Sequence, residues 1–257
     1  MELGLAGRTA LVTGGSKGIG RAIAEGLAAE GVHLHLAART KSDLDAAGEA
    51  IRARWNVNVT AHPADLSSGD ACRKLAVSVG DLDILVNNAG AIPGGDILAV
   101  DEERWREAWD LKVFGFINLA RAVYPAMKAR GGGVIVNIIG LGGETMDGGY
   151  IAGAAGNASL MAFSRALGSK SFDEKVRVVG INPGMVATGR MRTLLEARAE
   201  KQHGDRARWQ DYVKHLPQGR AAEPREIADV AVFLASDRAS YISGTVLTID
   251  GGTLHRR

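Results

Sequence analysis

The chain has 257 residues, 46% of them apolar and 23% charged, which is the make-up of a packed globular protein and suits one large α/β domain. Its formal charge of +2, from 31 basic and 29 acidic residues without long like-charge blocks, gives no case for nucleic acid or an anionic membrane as the main partner. Cys72 is the only cysteine, so no internal disulfide can form, and no run approaches the roughly 18 apolar residues of a membrane helix; with no signal-type pattern in MELGLAGRTALVTGG, a cytoplasmic protein is expected.

Short β-rich runs alternate with helical patterns along the whole chain. The predicted strands are TALVTG (9–14), HLHLAA (33–38), VNVTA (57–61), DILVNNAG (83–90), VIVNIIG (134–140), VRVVGINPG (176–184) and TVLTIDGG (245–252). The first and the fourth to sixth are nearly all apolar, as strands covered by helices on both faces must be. Helix-length segments lie between them, among them 21–30, closed by Gly31, and 43–55, after an N-cap at Ser42. The alternation predicts a single-domain α/β Rossmann fold over residues 1–257, with a doubly wound parallel sheet of about seven strands.

Residues 185–220 depart from that rhythm. The segment is helix-like, charged and longer than an ordinary connection, and it is read as a substrate lid. Between Gly189 and Arg220 there are eight Lys/Arg against four Asp/Glu; an anionic substrate would explain the excess, and so would a solvated helix face, which is the default. Met185, Met191, Leu194, Leu195, Trp209 and Tyr212 line either a hydrophobic pocket or the lid's own packing face.

The first strand runs through TGGSKGIG (13–20) straight into a helix. Amides at a helix N-terminus hold phosphates, and glycines let chain and ligand approach closely. Together with Asp65–Leu66, NNAG (87–90), NPG (182–184), Thr188 and the final SGTVLTIDGG, this order of motifs resembles the short-chain dehydrogenase/reductase family over nearly the whole chain. The resemblance implies a Rossmann fold that binds NAD or NADP and transfers hydride to or from a small-molecule carbonyl or alcohol. By position it places Gly14, Ser16, Lys17, Gly18, Ile19 and Gly20 around the phosphates and adenosine ribose. Asp65 and Leu66 fall at the adenine, Asn88, Ala89 and Gly90 beside the ribose, and Pro183, Gly184, Val186 and Thr188 at the nicotinamide. A carboxylate at the end of the second strand would favour NAD; here Ala38 is followed by Arg39, with Lys17 in the turn, which favours NADP. The family resemblance also implies a homodimer or homotetramer, with the fourth and fifth helices and the C-terminal region at interfaces.

Family members commonly use Asn, Ser, Tyr and Lys, with tyrosine as acid or base. The resemblance puts Lys112 at the Asn position, Gly140 at the Ser position, Gly153 at the Tyr position and Asn157 at the Lys position. Lys112 and Asn157 read as an exchange of amine and amide. Tyr150 lies three residues before Gly153, about one helical turn or 4.5 Å away if the helix extends that far. The expectation is a rearranged set in which Tyr150 moves the proton, Lys112 tunes it and Asn157 binds cofactor or a relay water. The bland alternatives are Tyr150 packed on the lid and Lys112 paired with Asp110 or Glu107. Glu144, Thr145 and Asp147 are read as solvated loop residues, and none of the six histidines has metal-ligand spacing. A non-catalytic NADP-binding protein, or a lyase-like enzyme on the same scaffold, would share many of these features.

Overall fold

The computed structural model describes residues 2–256. Seven parallel strands form one sheet in the order β3-β2-β1-β4-β5-β6-β7: β1 Thr9–Thr13, β2 His33–Ala38, β3 Val59–Pro63, β4 Ile84–Asn87, β5 Gly133–Ile138, β6 Val176–Pro183 and β7 Thr245–Ile249. All seven predicted strands are present. The third begins two residues later than expected because its pairing with β2 starts at Leu34↔Val59, while Val57 turns inward to the core.

Helices cover both faces, and the alternation of side chains along the strands explains why. Ala10 and Val12 of β1 pack with α1 (Gly18–Ala29), α2 (Lys41–Arg52) and α10 (Pro224–Ala235), whereas Leu11 points to α3 (Gly69–Val79) and α5 (Gly115–Arg130). Helix α2 starts at Lys41 with Thr40 as its N-cap, so Ser42, expected to be the cap, lies within the first turn.

Helix α4 (Glu102–Trp109) runs into α5 through one π-helical turn, Asp110–Phe114. Such single turns rotate the following side chains and recur at functional sites. Lys112 sits inside it. After β5 come a short α6 (Gly142–Thr145) and a long α7 (Ile151–Ser171). Residues 185–220 form α8 (Gly189–His203), α9 (Trp209–Lys214) and two short 3-10 turns, closed at the base by a bridge between Val186 and Ala222.

From β1 the chain winds outward to β3 and then returns to place β4 on the other side of β1. This reversal opens a crevice at the carboxyl ends of β1 and β4, where ligands bind in open α/β sheets. The motifs singled out in the sequence follow β1, β3, β4, β5 and β6 and so converge on that edge.

Candidate active site

The turn after β1 is shaped by close backbone approach. Gly14 and Gly18 have φ of 62° and 56°, in the left-handed region. A Cβ on Gly20 would lie 2.3 Å from the Gly14 carbonyl oxygen and 2.5 Å from Asn88 Nδ2. Asn88 is the organiser: its amide donates to the carbonyls of Thr13 (3.0 Å) and Gly14 (3.4 Å), and the Asn88 and Ala89 N–H groups donate to Thr13 Oγ1. Lys17, the N-cap of α1, supplies no side-chain cap, and the first turn carries no acid. Orphan amides in a first turn that itself carries no acidic residue fit a phosphate group.

The remaining predicted cofactor residues gather around this turn with different exposures. Thr188 caps α8 through Met191 N–H (3.2 Å), and its methyl lies 3.3 Å from the Cβ position of Gly18. Pro183 ends β6, and Gly184 N–H donates to the Ile249 carbonyl. Ser16 and Ile19 are half-buried at the turn, with Ile19 packed on the core. Val186 and Leu66 are core side chains, leaving only their backbones for a ligand. Asp65 accepts from the Ser67 amide and hydroxyl, an Asx turn that shapes its loop.

The charges beyond β2 differ from those the sequence suggested. Arg39 is exposed just beyond β2 and makes no ion pair among the described residues. Lys17, however, is paired with Asp43 at 2.6 Å. A carboxylate is therefore present where the sequence suggested cations alone; it comes from the first turn of α2, out of register with the strand end.

At the other end of the crevice, Tyr150 is not part of the helix. It is the N-cap of α7 with φ −138° and ψ 38°, yet its ring lies over Gly153. A Cβ on Gly153 would meet the ring carbons at 1.9 to 2.5 Å, and one on Gly142 would meet Cε1 at 3.0 Å. Ile92, Val100, Trp105 and Ala152 pack in the same cluster. Burial raises the Tyr150 phenol above its ordinary range, countered in part by the Arg190 cation.

Lys112 has neither of the carboxylate partners considered for it. It is 8% exposed, its chain crosses Gly90, and its ammonium donates to the carbonyls of Ile138 (2.9 Å) and Ile139 (3.0 Å). Burial, with Arg190 nearby, pushes it down to about 7. Asn157 reaches the same strand end, its Nδ2 lying 3.1 Å from the Cβ position of Gly140. The exchanged amine and amide therefore both reach residues 138–140. Asn157 Oδ1 is buried with no hydrogen-bond partner, an acceptor that a ligand hydroxyl would satisfy. Tyr150 and Lys112 share no hydrogen bond.

Two residues have larger parts than the sequence suggested. Glu144 is half-buried and accepts from Asn182 Nδ2 and Thr248 Oγ1, so it braces the ends of β6 and β7, while Thr145 and Asp147 are exposed as expected. Arg190 reaches from α8 to the carbonyls of Gly90 (3.4 Å) and Ile92 (3.3 Å). The charge excess of the lid was the only hint of it. Among the apolar residues of 185–220, Leu195 is buried, Leu194 is exposed, and Trp209 and Tyr212 lie under Arg192 and Arg198, so the segment packs largely on itself. An open cavity of about 530 Å³ is lined by Ile97, Trp105 and Phe114 along α4, and none of these site residues lines it.

Among the described residues no helix is long and apolar enough to cross a membrane, and no group of His, Cys, Asp or Glu could hold a metal. Residues 14–254 match the family described as enoyl-(acyl carrier protein) reductase. The chain is 35% identical over 250 residues to galactitol 2-dehydrogenase (L-tagatose-forming) of Cereibacter sphaeroides, covering 96% of this chain and 95% of that one. It is 33% identical to the 3-oxoacyl-(acyl-carrier-protein) reductase of Escherichia coli K12, covering 96% and 97%. The crystal structure of L-sorbose reductase from Gluconobacter frateurii, complexed with NADPH and L-sorbose, superposes with a TM-score of 0.93 at 34% identity and full coverage of both chains. The chain belongs to the short-chain dehydrogenase/reductase family, a group of NAD(P)-dependent oxidoreductases.

Proposed function

We propose that the protein transfers hydride between NADP(H) and a carbonyl or alcohol, with Tyr150 moving the proton, Lys112 setting the local potential and Asn157 binding a cofactor hydroxyl or relay water. The observation that carries this reading is the Tyr150 ring over Gly153, which brings a phenol to the place where the helix itself offers no side chain. The bound nicotinamide supplies the hydride donor or acceptor. The raised phenol keeps its proton at neutral pH, which suits donation to a carbonyl oxygen during reduction. In the reverse direction the Arg190 cation lowers the cost of forming a tyrosinate. Lys112 is fixed by its two carbonyl partners, and the unpaired Asn157 acceptor holds a hydroxyl donor.

The preference for NADP rests on Arg39, whose guanidinium is free for a 2′-phosphate, and not on Lys17, whose charge Asp43 already matches. The names of the relatives and the structural neighbour point to carbonyl or alcohol substrates. A homodimer or homotetramer is supported by Phe114, Tyr241 and Leu247, which are 47%, 90% and 45% exposed on the elements expected at interfaces.

The purified protein is expected to bind NADPH more tightly than NADH and to oxidise NADPH when given a ketose or 3-oxo ester. A second reading, a protein that holds the cofactor without turnover, is favoured by the missing hydroxyl at Gly140. NADPH binding with no oxidation across such a carbonyl panel would establish it.

A further inference from the structure

We infer that Arg190 selects a substrate bearing a carboxylate, so that the natural pair is an oxo acid and its hydroxy acid. This rests on reading the crevice as the substrate site of an oxidoreductase, and it begins from what the lid's cations do. Of the eight Lys/Arg between Gly189 and Arg220, Arg192, Arg206, Arg208, Lys214 and Arg220 are each paired with a carboxylate. Arg198 stacks over Tyr212 at 4.7 Å. Lys201 lies in the last turn of α8, where the helix dipole favours a cation. These seven account for the solvated helix face.

Arg190 is the exception, and its position is electrostatically wrong for a residue that only stabilises the lid. It occupies the first turn of α8, where the dipole disfavours a cation and no acidic residue is present. Its guanidinium points back over the crevice to the Gly90 and Ile92 carbonyls at 3.4 and 3.3 Å, both longer than the ordinary hydrogen bond of about 2.9–3.0 Å. Arg190 is exposed, so the remaining donors of its five-donor fork face solvent and are open to a ligand.

Among the described residues its side chain bonds only to these two neutral carbonyls. Gly90 lies under the Lys112 side chain, and Ile92 packs with Tyr150. Arg190 is the charged group that acts on both Lys112 and Tyr150, and no carboxylate acts on either. The Arg190 guanidinium and the buried Lys112 amine therefore face one small space beside the proton-moving phenol. Because Lys112 is already committed to two carbonyls, one free guanidinium remains. A single planar fork matches one carboxylate in geometry and in charge, whereas a dianionic phosphate would call for further cations. Binding would exchange two long bonds to neutral carbonyls for a charge-assisted pair.

The test compares acetoacetate and 4-oxopentanoate with their methyl esters, titrated calorimetrically into the NADP⁺-loaded protein. The acids are expected to bind at least about tenfold tighter than the esters. In Arg190→Ala and Arg190→Gln the preference should shrink to within about twofold, and Arg190→Lys should restore part of it. Affinity for NADPH should stay within about twofold in all three. Equal binding of acid and ester by the unaltered protein, or an undiminished preference in Arg190→Ala, overturns the inference; so does a large loss of NADPH affinity, which would place Arg190 on the cofactor. Acid preference without NADPH oxidation by any carbonyl would keep the carboxylate site and remove the oxidoreductase reading. Oxidation confined to neutral carbonyls would do the reverse.

Discussion

The glycine turn after β1 and the start of α7 perform similar structural tasks by opposite means. In the turn it is the backbone that is shaped: amides are aimed by glycines and by Asn88, and side chains only stay out of the way. At α7 a glycine again makes room, but for a side chain borrowed from three residues earlier. Gly153 admits the Tyr150 ring, and Gly90 likewise admits Lys112. A backbone site is tied to its own few residues, whereas a side-chain site can be rebuilt from any neighbour that reaches the same space.

The first way to sharpen this contrast is at the cofactor end. Arg39→Glu should reverse the preference from NADPH towards NADH by about 10- to 100-fold, the worth of one or two charge-assisted hydrogen bonds. Fluorescence titration with both cofactors would show it. An unchanged ratio would mean that Arg39 does not meet the 2′-phosphate.

At the reacting end, Gly153→Ala introduces a methyl where the Tyr150 ring already lies. Overpacking of this kind costs about 1–3 kcal/mol, to be read in urea unfolding, and turnover should fall because the ring must move. Restoring the usual residues one at a time should meet the same obstacle: a serine at Gly140, whose φ is 139°, would be strained.

A smaller effect follows from Lys112. Its folded value of about 7 lies below the ordinary 10.5, so between those limits the folded protein binds fewer protons than the unfolded chain. Stability should therefore rise with pH across that window, by up to about 1.4 kcal/mol per pH unit, with the burial cost fully present below pH 7. Lys112→Met should lose that rise. Parallel unfolding curves for the two proteins from pH 6.5 to 9.5 would show the difference, and identical pH dependence would contradict it.

The sheet was legible in the sequence because its strands are apolar runs between turn residues, a pattern set by burial on two faces. The glycine turn was legible because its chemistry is local. Elsewhere the decisive partners are distant in sequence. That Asp43 would answer Lys17, and that Glu144 would bridge Asn182 and Thr248, depends on how loops from separate strands meet. Lys112 shows the limit most clearly. Nearby carboxylates at Glu107 and Asp110 were its obvious partners, yet the π-helical turn aims it at two carbonyls of β5. Tyr150 was identified from its spacing to Gly153, although it reaches that position as an N-cap and not as a helical neighbour. Arg190 was one of eight similar cations until their partners were seen.

The central claim is that a tyrosine outside the helix supplies the proton. The most direct measurement is NADPH oxidation and NADPH affinity in Tyr150→Phe beside the unaltered protein, with the best carbonyl substrate found. Loss of turnover by at least about 100-fold, with affinity within about twofold, is the predicted result. Turnover retained to within a few-fold would contradict it and assign the proton to another group.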